Sequence, residues 1–229
     1  SASVIYPYSE GLNSTPNLIS EFELKKKYPN TYQFLHKNKE ILRQRMDSRK
    51  YYAKGNNWFR HLRPGSFRYI HPTKFIVKGI EKRAKIGLLK ENTAFNGANC
   101  PGIIIENLGN YNLFYFLGIL NSRLISYYLR SVCPAKLGGY TRFNVQNINN
   151  SPIRSINFFN DEEKKYHDKL VTFVGKIIKL NGKRDMLPSS SSRDKIEREI
   201  QIVDENIDEL VYELYGISKE EIKIIEDGI

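Results

Sequence analysis

The sequence predicts an α+β protein, in which a mixed α/β domain with short strands is followed by an antiparallel helical hairpin. Apolar residues recur at helical spacing near both ends of the chain, whereas many segments between them are short, β-branched or aromatic, and broken by prolines. The charge also changes: residues 1–150 carry 23 Lys and Arg against 8 Asp and Glu, and residues 151–229 carry 13 against 17. We therefore expect one domain over residues 1–155 and a helical region over residues 156–229.

The first domain is expected to contain two helices with short strands between them. One helix is predicted within residues 30–50, capped by Asn30 or Thr31, from the spacing of Tyr32, Leu35, Leu42 and Met46. Segments 58–71 and 74–80 are interpreted as short strands and turns, and segments 83–90 and 102–107 as two further strands separated by a turn. Residues 111–131 predict the second helix.

The helical region shows a more regular pattern. Its first helix is predicted from Leu170, Phe173, Ile177 and Leu180. Its second has an unbroken heptad-like spacing over Ile196, Ile200, Val203, Ile207, Leu210 and Leu214. A polar linker, residues 187–192, separates them, so we expect a hairpin. Gly216 is predicted to cap the second helix, and Ser218 with Glu221 predicts a capping box for a last short helix.

The charge distribution indicates a polyanionic partner. Residues 25–90 contain 19 Lys and Arg but only 3 Asp and Glu, whereas a surface without such a partner normally mixes both signs. Nucleic acid is the simplest polyanion that fits. A generally basic composition is the alternative, but it does not explain why the charge changes sign within one chain.

The sequence offers little that indicates catalysis. The four histidines lack metal-ligand spacing, and the common phosphate-binding and nucleophile motifs are missing. We therefore predict no catalytic residues, no metal and no cofactor for this chain. Its longest apolar stretch, Leu113–Leu120, is far shorter than the roughly 20 residues that span a bilayer. Cys100 and Cys133 are interpreted as reduced thiols, which predicts a cytoplasmic location.

Two segments have the composition of a nucleic-acid contact. The first interleaves aromatic rings with guanidinium groups, which can bind phosphates or guanine edges, and includes Trp58, Arg60, Arg63 and Arg68. Trp58 fits a core position equally well. The second surrounds two glycines with hydrogen-bonding side chains and comprises Lys136, Gly138, Gly139, Tyr140, Thr141 and Arg142. It fits either a turn after a helix or a loop at a phosphate backbone. Lys74 and Lys78 are further candidates for phosphate contacts.

Several segments, in order along nearly the whole chain, resemble the TaqI-like C-terminal specificity domain of type IIG restriction–modification enzymes and N6-adenine DNA methyltransferases. They are IYPY, YPNTYQFLHKNKEILRQR, WFRHLRP, LGILNSRLISYYLR, GGYTRFNVQNINNSPI and IDELVYELYGISKEEIKIIE. The resemblance implies a target recognition domain that reads a short sequence in double-stranded DNA, with helices that brace it. Residues 74–99 have no clear counterpart, so the recognised bases stay open.

The resemblance also implies a larger parent enzyme. In that family a methyltransferase domain precedes the specificity domain, carries an Asn-Pro-Pro-Tyr motif and uses S-adenosylmethionine, with Mg²⁺ where a nuclease is present. This chain lacks the motif and begins with Ser, so we expect it to be part of a longer polypeptide with a methyltransferase domain as its partner. Two alternatives remain: an RNA-binding module, and a protein-interaction scaffold that uses the heptad helix.

Overall fold

The computed structural model describes residues 4–67, 74–89, 93, 100–189 and 191–229, and its helices and small antiparallel sheets confirm the predicted α+β class. The chain forms two compact units: unit 1 comprises residues 1–72 and 91–94, and unit 2 comprises residues 73–90 and 95–229. This division differs from the predicted boundary at residue 155. The reason is that buried residues between Phe75 and Ile156 share one hydrophobic core with buried residues of the helices that follow them.

Unit 1 is built from short elements around a small core. In chain order these are β1 (Tyr8–Glu10), β2 (Pro16–Leu18), α1 (Glu21–Lys27), α2 (Pro29–Lys37), α3 (Lys39–Arg43), β3 (Met46–Asp47) and β4 (Lys50–Tyr51). β1 pairs with β2 and β3 with β4, each antiparallel. The buried residues of the core are Leu24, Leu35, Trp58 and Phe59. The helices therefore close over the WFRHLRP segment.

The single helix predicted within residues 30–50 is wrong. α2 begins earlier, because Pro29 occupies its first turn, where a missing N–H costs nothing. It ends at Asn38, whose side chain donates to the Phe34 carbonyl over 2.9 Å. Beyond α3 the chain forms the β3–β4 hairpin, in which Ser48 and Arg49 have φ of 48° and 68°. Such a two-residue turn with positive φ cannot belong to a right-handed helix.

Unit 2 combines a three-stranded sheet with longer helices. Its elements are β5 (Lys74–Val77), β6 (Ile80–Glu81), β7 (Ile86–Leu88), β8 (Gly102–Ile104), α4 (Leu113–Asn121), α5 (Arg123–Val132), β9 (Thr141–Arg142), α6 (Val145–Asn149), α7 (Asp161–Met186), α8 (Ser191–Tyr215) and α9 (Lys219–Asp227). The sheet has the order β7-β5-β8 and is antiparallel. β6 and β9 form a separate antiparallel pair. Within the described ranges, none of the helices is both long and apolar enough to cross a bilayer.

The helix predicted over residues 111–131 is two helices, α4 and α5, which meet at a polar junction. Ser122 lies between them, donates to the Ile119 carbonyl over 2.7 Å and accepts from the Ile125 N–H, so it caps the second helix. Asn121 reaches sideways to the sheet. Its amide accepts from the Ile86 N–H and donates to the Ile86 carbonyl, each over 2.9 Å, as a neighbouring strand would.

The predicted helical hairpin is confirmed. α7 and α8 lie side by side, and the buried residues Leu170, Val174 and Leu180 of α7 and Val203, Ile207 and Leu210 of α8 form the seam. α4 packs so closely on α7 that a Cβ at Gly118 would come within 2.8 Å of Leu170. Gly216 has a φ of 67° at the end of α8, and Ser218 and Glu221 form the predicted capping box.

A buried carboxylate joins the sheet turn to the helices of unit 2. Asp208 of α8 is 2% exposed. One of its oxygens accepts from the Arg123 N–H over 2.7 Å, and the other lies 3.2 Å from the Arg123 Nε and 3.3 Å from the Arg83 Nη2. Arg83 also binds Asp204 at 2.8 Å and the Asn121 carbonyl at 2.8 Å. The β6–β7 turn is therefore attached to α4 and α8 through the Arg83 guanidinium, and to α5 through the Asp208 carboxylate that Arg83 and Arg123 share.

Burial raises the pKa of Asp208 to about 6, although Arg83 and the Arg123 N–H oppose the rise. The ordinary aspartate value is 3.8. Because the native pKa is the higher one, the native state binds a proton that the unfolded chain releases between about pH 4 and 6. The contribution of this group to the free energy of unfolding is therefore present below pH 4 and is lost as the pH rises through 6.

We predict that the free energy of unfolding of the wild-type chain, relative to that of the Asp208→Asn variant, falls by up to about 3 kcal/mol from pH 4 to pH 7. Urea unfolding should be followed by circular dichroism at the helical band. Tryptophan fluorescence would report unit 1, because the only tryptophan, Trp58, lies there. A difference that stays constant with pH would contradict the assignment of this titration to Asp208.

Candidate nucleic-acid interface

Residues 136–142, which we call the glycine loop, form a tight turn closed by backbone hydrogen bonds. The Lys136 N–H donates to the Tyr140 carbonyl over 2.7 Å, and the Arg142 N–H donates to the Pro134 carbonyl over 2.9 Å. Gly138 and Gly139 have φ of 74° and 76°. Residues other than glycine rarely adopt this left-handed region of backbone conformation, so the two glycines are needed for the chain to reverse its direction.

Residues 78–85, which we call the lysine turn, lie against the glycine loop. β6 and β9 pair so that Ile80 stands opposite Arg142 and Glu81 opposite Thr141. The Phe143 N–H donates to the Gly79 carbonyl over 2.9 Å. Two segments that are about sixty residues apart in the chain therefore form one surface, which we call the loop pair.

Arg130, in the last turn of α5, ties the two halves of the loop pair together. Its Nη1 donates to the Lys82 carbonyl over 2.7 Å and to the Gly139 carbonyl over 3.1 Å. The Lys82 ammonium lies 5.7 Å from the centroid of the Tyr140 ring, a cation–π distance. One guanidinium therefore fixes the spacing between the lysine turn and the glycine loop.

The loop pair carries an excess of positive charge. Its only carboxylate is Glu81, which lies 2.5 Å from the Lys78 ammonium and 3.5 Å from that of Lys85. The hydrogen bond from Lys78 and a second from the Lys82 N–H lower the pKa of Glu81 to about 2. Lys136 and Arg142 are exposed, and in the part of the chain that the structure describes neither side chain forms an ion pair or hydrogen bond. Both remain available to an anion.

In unit 1, the IYPY segment binds the WFRHLRP segment. The Tyr6 hydroxyl donates to the Pro64 carbonyl over 3.0 Å, and the His61 N–H donates to the Tyr8 hydroxyl over 2.6 Å. The His61 Nε2 lies 2.8 Å from the Ile5 carbonyl, and burial lowers the pKa of His61. His61 is thus a neutral donor at pH 7 that holds two distant segments together, and it is not a free ligand.

Arg45 performs a similar structural task in unit 1. Its Nη2 donates to the carbonyls of Trp58 and Arg60 over 3.0 and 2.9 Å, and its Nε donates to the Leu42 carbonyl over 2.8 Å. The arginine that follows α3 therefore sets the path of the backbone from Trp58 to Arg60. The Arg60 and Arg63 side chains make no hydrogen bond or ion pair among the residues placed by the structure; Arg60 is half-buried and Arg63 is exposed.

Of the two interpretations of Trp58, the structure favours the core position. Its side chain is fully buried, stacks edge-on against Phe59 with the ring centroids 5.2 Å apart, and lies 4.9 Å from the Lys39 ammonium. The indole N–H faces the Glu21 carboxylate without a well-aligned hydrogen bond. Burial alone would raise the pKa of Glu21, but Trp58, Lys39 and Tyr32 lower it overall. Trp58 thus supports the segment from inside.

The structure brings together most of the residues predicted in unit 2. Lys78, Lys136, Gly138, Gly139, Tyr140 and Arg142 all lie in the loop pair. Thr141 lies there too, but it is 3% exposed and serves the β6–β9 pairing. Arg68 lies outside the described residues. For Lys74 the structure describes only the backbone, at the start of β5.

Sequence reasoning missed two members of the loop pair, Lys82 and Lys85, and the residue of α5 that ties its halves together, Arg130. Lys82 lies over the Tyr140 ring, Lys85 forms an ion pair with Glu81, and Arg130 donates to the Lys82 carbonyl. The pairing of residues 80–81 with residues 141–142 is non-local, and no pattern in either segment predicts it. The only available signal was the density of lysine between residues 78 and 85.

Two comparisons show which known proteins this chain is similar to. The family model of the TaqI-like C-terminal specificity domain matches residues 19–153, which include most of unit 1 and the whole loop pair. The chain is also 27% identical, over 98% of its length, to the Escherichia coli type II restriction enzyme and methyltransferase RM.Eco57I. It spans 23% of the length of that relative. The family match covers more than half of the chain, and the chain belongs to the TaqI-like C-terminal specificity domain family.

Proposed function

We propose that this chain is the specificity domain of a restriction–modification enzyme and that it recognises a short sequence in double-stranded DNA. The observation that carries the proposal is the family match over residues 19–153, which includes the loop pair with its unpartnered cations. A cationic surface supplies affinity for the phosphate backbone, and arginine supplies a planar donor group that fits base edges. The chain would thus read the sequence and leave the chemistry to other domains.

The parent enzyme is part of the proposal. The relative is named as both a restriction enzyme and a methyltransferase, and this chain corresponds to less than a quarter of it. A methyltransferase domain that transfers a methyl group to adenine N6 would lie elsewhere in the polypeptide and use S-adenosylmethionine, with Mg²⁺ if a nuclease is present. Among the residues described here, no three His, Cys, Asp or Glu side chains cluster as metal ligands would. We assign no cofactor to this chain, and we propose a cytoplasmic location.

The loop pair offers two kinds of contact to a duplex. Lys136 presents a free ammonium group that suits phosphate oxygens, and Lys78 adds one that it now shares with Glu81. The side-chain-free backbone at Gly138 and Gly139 allows a phosphate to approach closely. Arg142 extends from β9 with a free guanidinium, the group that binds guanine O6 and N7 bidentately. We therefore assign phosphate binding to the lysines and base reading to Arg142.

Unit 1 supplies the second set of proposed contacts. Arg60 and Arg63 follow the buried pair Trp58 and Phe59, so their backbone is held by the core and by Arg45. From the sequence, we also propose that Arg68 and, in unit 2, Lys74 contact the DNA. An arginine on a fixed backbone loses less conformational freedom on binding than one on a free loop.

We predict that the chain binds double-stranded DNA with a strong dependence on salt. A site with roughly 6–10 phosphate contacts loses about a thousandfold or more in affinity between 50 and 200 mM salt. Fluorescence anisotropy with a pool of random duplexes, followed by selection of the retained sequences, would measure both affinity and specificity. Single-stranded and double-stranded RNA of the same length serve as competitors.

Three results would contradict the proposal. If affinity did not change with salt concentration, the proposed phosphate contacts would be ruled out. Stronger competition by RNA than by duplex DNA would favour an RNA-binding module. If selection enriched no sequence, the chain would bind DNA only non-specifically. A specificity domain must bind its own site more tightly than other DNA.

Substitutions in the loop pair should separate base reading from phosphate binding. Arg142→Ala is expected to lower affinity for the selected duplex about tenfold or more and to relax preference at one base pair. Lys136→Ala should weaken binding to all duplexes about equally. It should also reduce the slope of log affinity against log salt concentration by about 1. Lys179→Ala, on an exposed face of α7, is the matched control. Unchanged affinity for Arg142→Ala would remove the glycine loop from the interface.

Arg130 is expected to act on binding through the spacing of the loop pair. Arg130→Ala releases the Lys82 and Gly139 carbonyls, so affinity for the selected duplex should fall about tenfold. In the free protein, hydrogen exchange at the Lys136 amide should also become faster, because its bond to Tyr140 loses support. Lower affinity with unchanged amide exchange would instead indicate that Arg130 contacts DNA directly.

A further inference from the structure

The most exposed residue of the glycine loop is a leucine. Leu137 is 97% exposed, between Lys136 and Gly138, at the tip of the turn. Single exposed leucines are common on protein surfaces and need no explanation by themselves. The surroundings of Leu137 are what set it apart.

The backbone that carries Leu137 is held in place. Residues 137–139 form a tight turn, closed by the Lys136–Tyr140 hydrogen bond of 2.7 Å and braced by the Arg130 contact to the Gly139 carbonyl. The two glycines with positive φ place no Cβ beside it, and the nearest atoms to a Cβ at Gly138 belong to the Tyr140 ring. Leu137 therefore projects from a clamped tip, unlike a leucine on a loose loop.

The chemical surroundings of Leu137 are cationic. Lys136 precedes it, Arg142 follows within the same loop, and Lys82 lies against Tyr140 at the loop's side. The glycine loop contains no carboxylate. A partner that fits this surface must carry negative charge around a small apolar site. Duplex DNA has this arrangement, because its stacked base pairs lie between two phosphate backbones.

We propose that Leu137 is an apolar wedge that enters a base step of the bound duplex and partly unstacks it. The inference rests on the proposed function and adds a residue that contributes to it through shape. Proteins that insert Leu, Ile, Met or Phe between base pairs widen the step and kink the duplex, and flexible steps such as TA and CA/TG yield at the lowest cost. Leu137 would therefore add specificity for a deformable step without any hydrogen bond to a base.

The flanking groups fit such a wedge. Lys136 directly precedes Leu137, so it can bind a phosphate that flanks an opened step, and Arg142 at the other end of the loop can read the edge of a neighbouring base pair. Gly138 and Gly139 leave room for the strand to approach the loop backbone. The Arg130 brace keeps the tip from folding back when it meets the stacked bases.

The test uses the whole chain and a duplex obtained by the selection described above. Adenines of either strand are replaced one at a time by 2-aminopurine, whose fluorescence rises when its stacking is lost. We expect wild type to increase the fluorescence at one step. Leu137→Ala should abolish the increase and lower affinity for the selected duplex about tenfold. Leu137→Phe should retain the increase, because a larger apolar side chain still fills the step.

Leu12→Ala is the control variant, because Leu12 is 89% exposed in a tight turn of unit 1 and has no lysine or arginine within ten residues before it or after it. It should leave both fluorescence and affinity unchanged. Since Leu137 and Leu12 contact little else, neither substitution should change the unfolding midpoint.

Two outcomes overturn the wedge and leave the proposed function intact. In one, wild type binds the selected duplex but no 2-aminopurine position brightens. In the other, Leu137→Ala brightens the same position as strongly as wild type. A wild-type chain that binds no duplex at all would overturn the proposed function and the wedge together, so the two failures are distinguishable.

Discussion

The contact between Arg83 and Asp208 is the constraint on which the arrangement of unit 2 depends. Arg83 lies in the lysine turn and Asp208 in the middle of α8, so one ion pair connects the basic surface to the helical hairpin. A carboxylate this buried is stable only when its partners stay in position, because an unpaired charge in the interior is costly. The hairpin is therefore more than an appended brace, since it carries the counter-charge that fixes the turn.

This connection explains why the change of charge along the sequence does not mark a boundary in space. The acidic residues of the C-terminal helices include Asp204, Asp208 and Glu226, and their partners Arg83 and Arg123 come from the basic part of the chain. Opposite charges were segregated in sequence and then joined by folding. A boundary drawn from composition alone therefore separates elements that share a core.

The sequence predicted the elements whose pattern is local and missed those whose position depends on distant partners. The hairpin, the strands near Ile86 and Gly102, and the capping box at Ser218 follow directly from periodicity and capping residues. The interruptions at Asn38 and Ser122 were missed, because helical spacing continues through both, while the side chains of Asn38 and Ser122 bind the last carbonyls of α2 and α4. The polar residues of the glycine loop were recognised, but Arg130 was not. Its importance comes from two carbonyls that folding brings together.

Asn121 has a consequence for how this domain behaves among other proteins. Its side chain occupies both backbone groups of Ile86 on β7, a strand at the edge of the sheet. An open edge with apolar residues is a template on which a strand of another molecule can pair and start aggregation. Here a helix side chain occupies that position at Ile86, so the strand can remain apolar enough to fill the core. A single carboxamide of α4 thus closes this position of the strand edge to pairing with another chain.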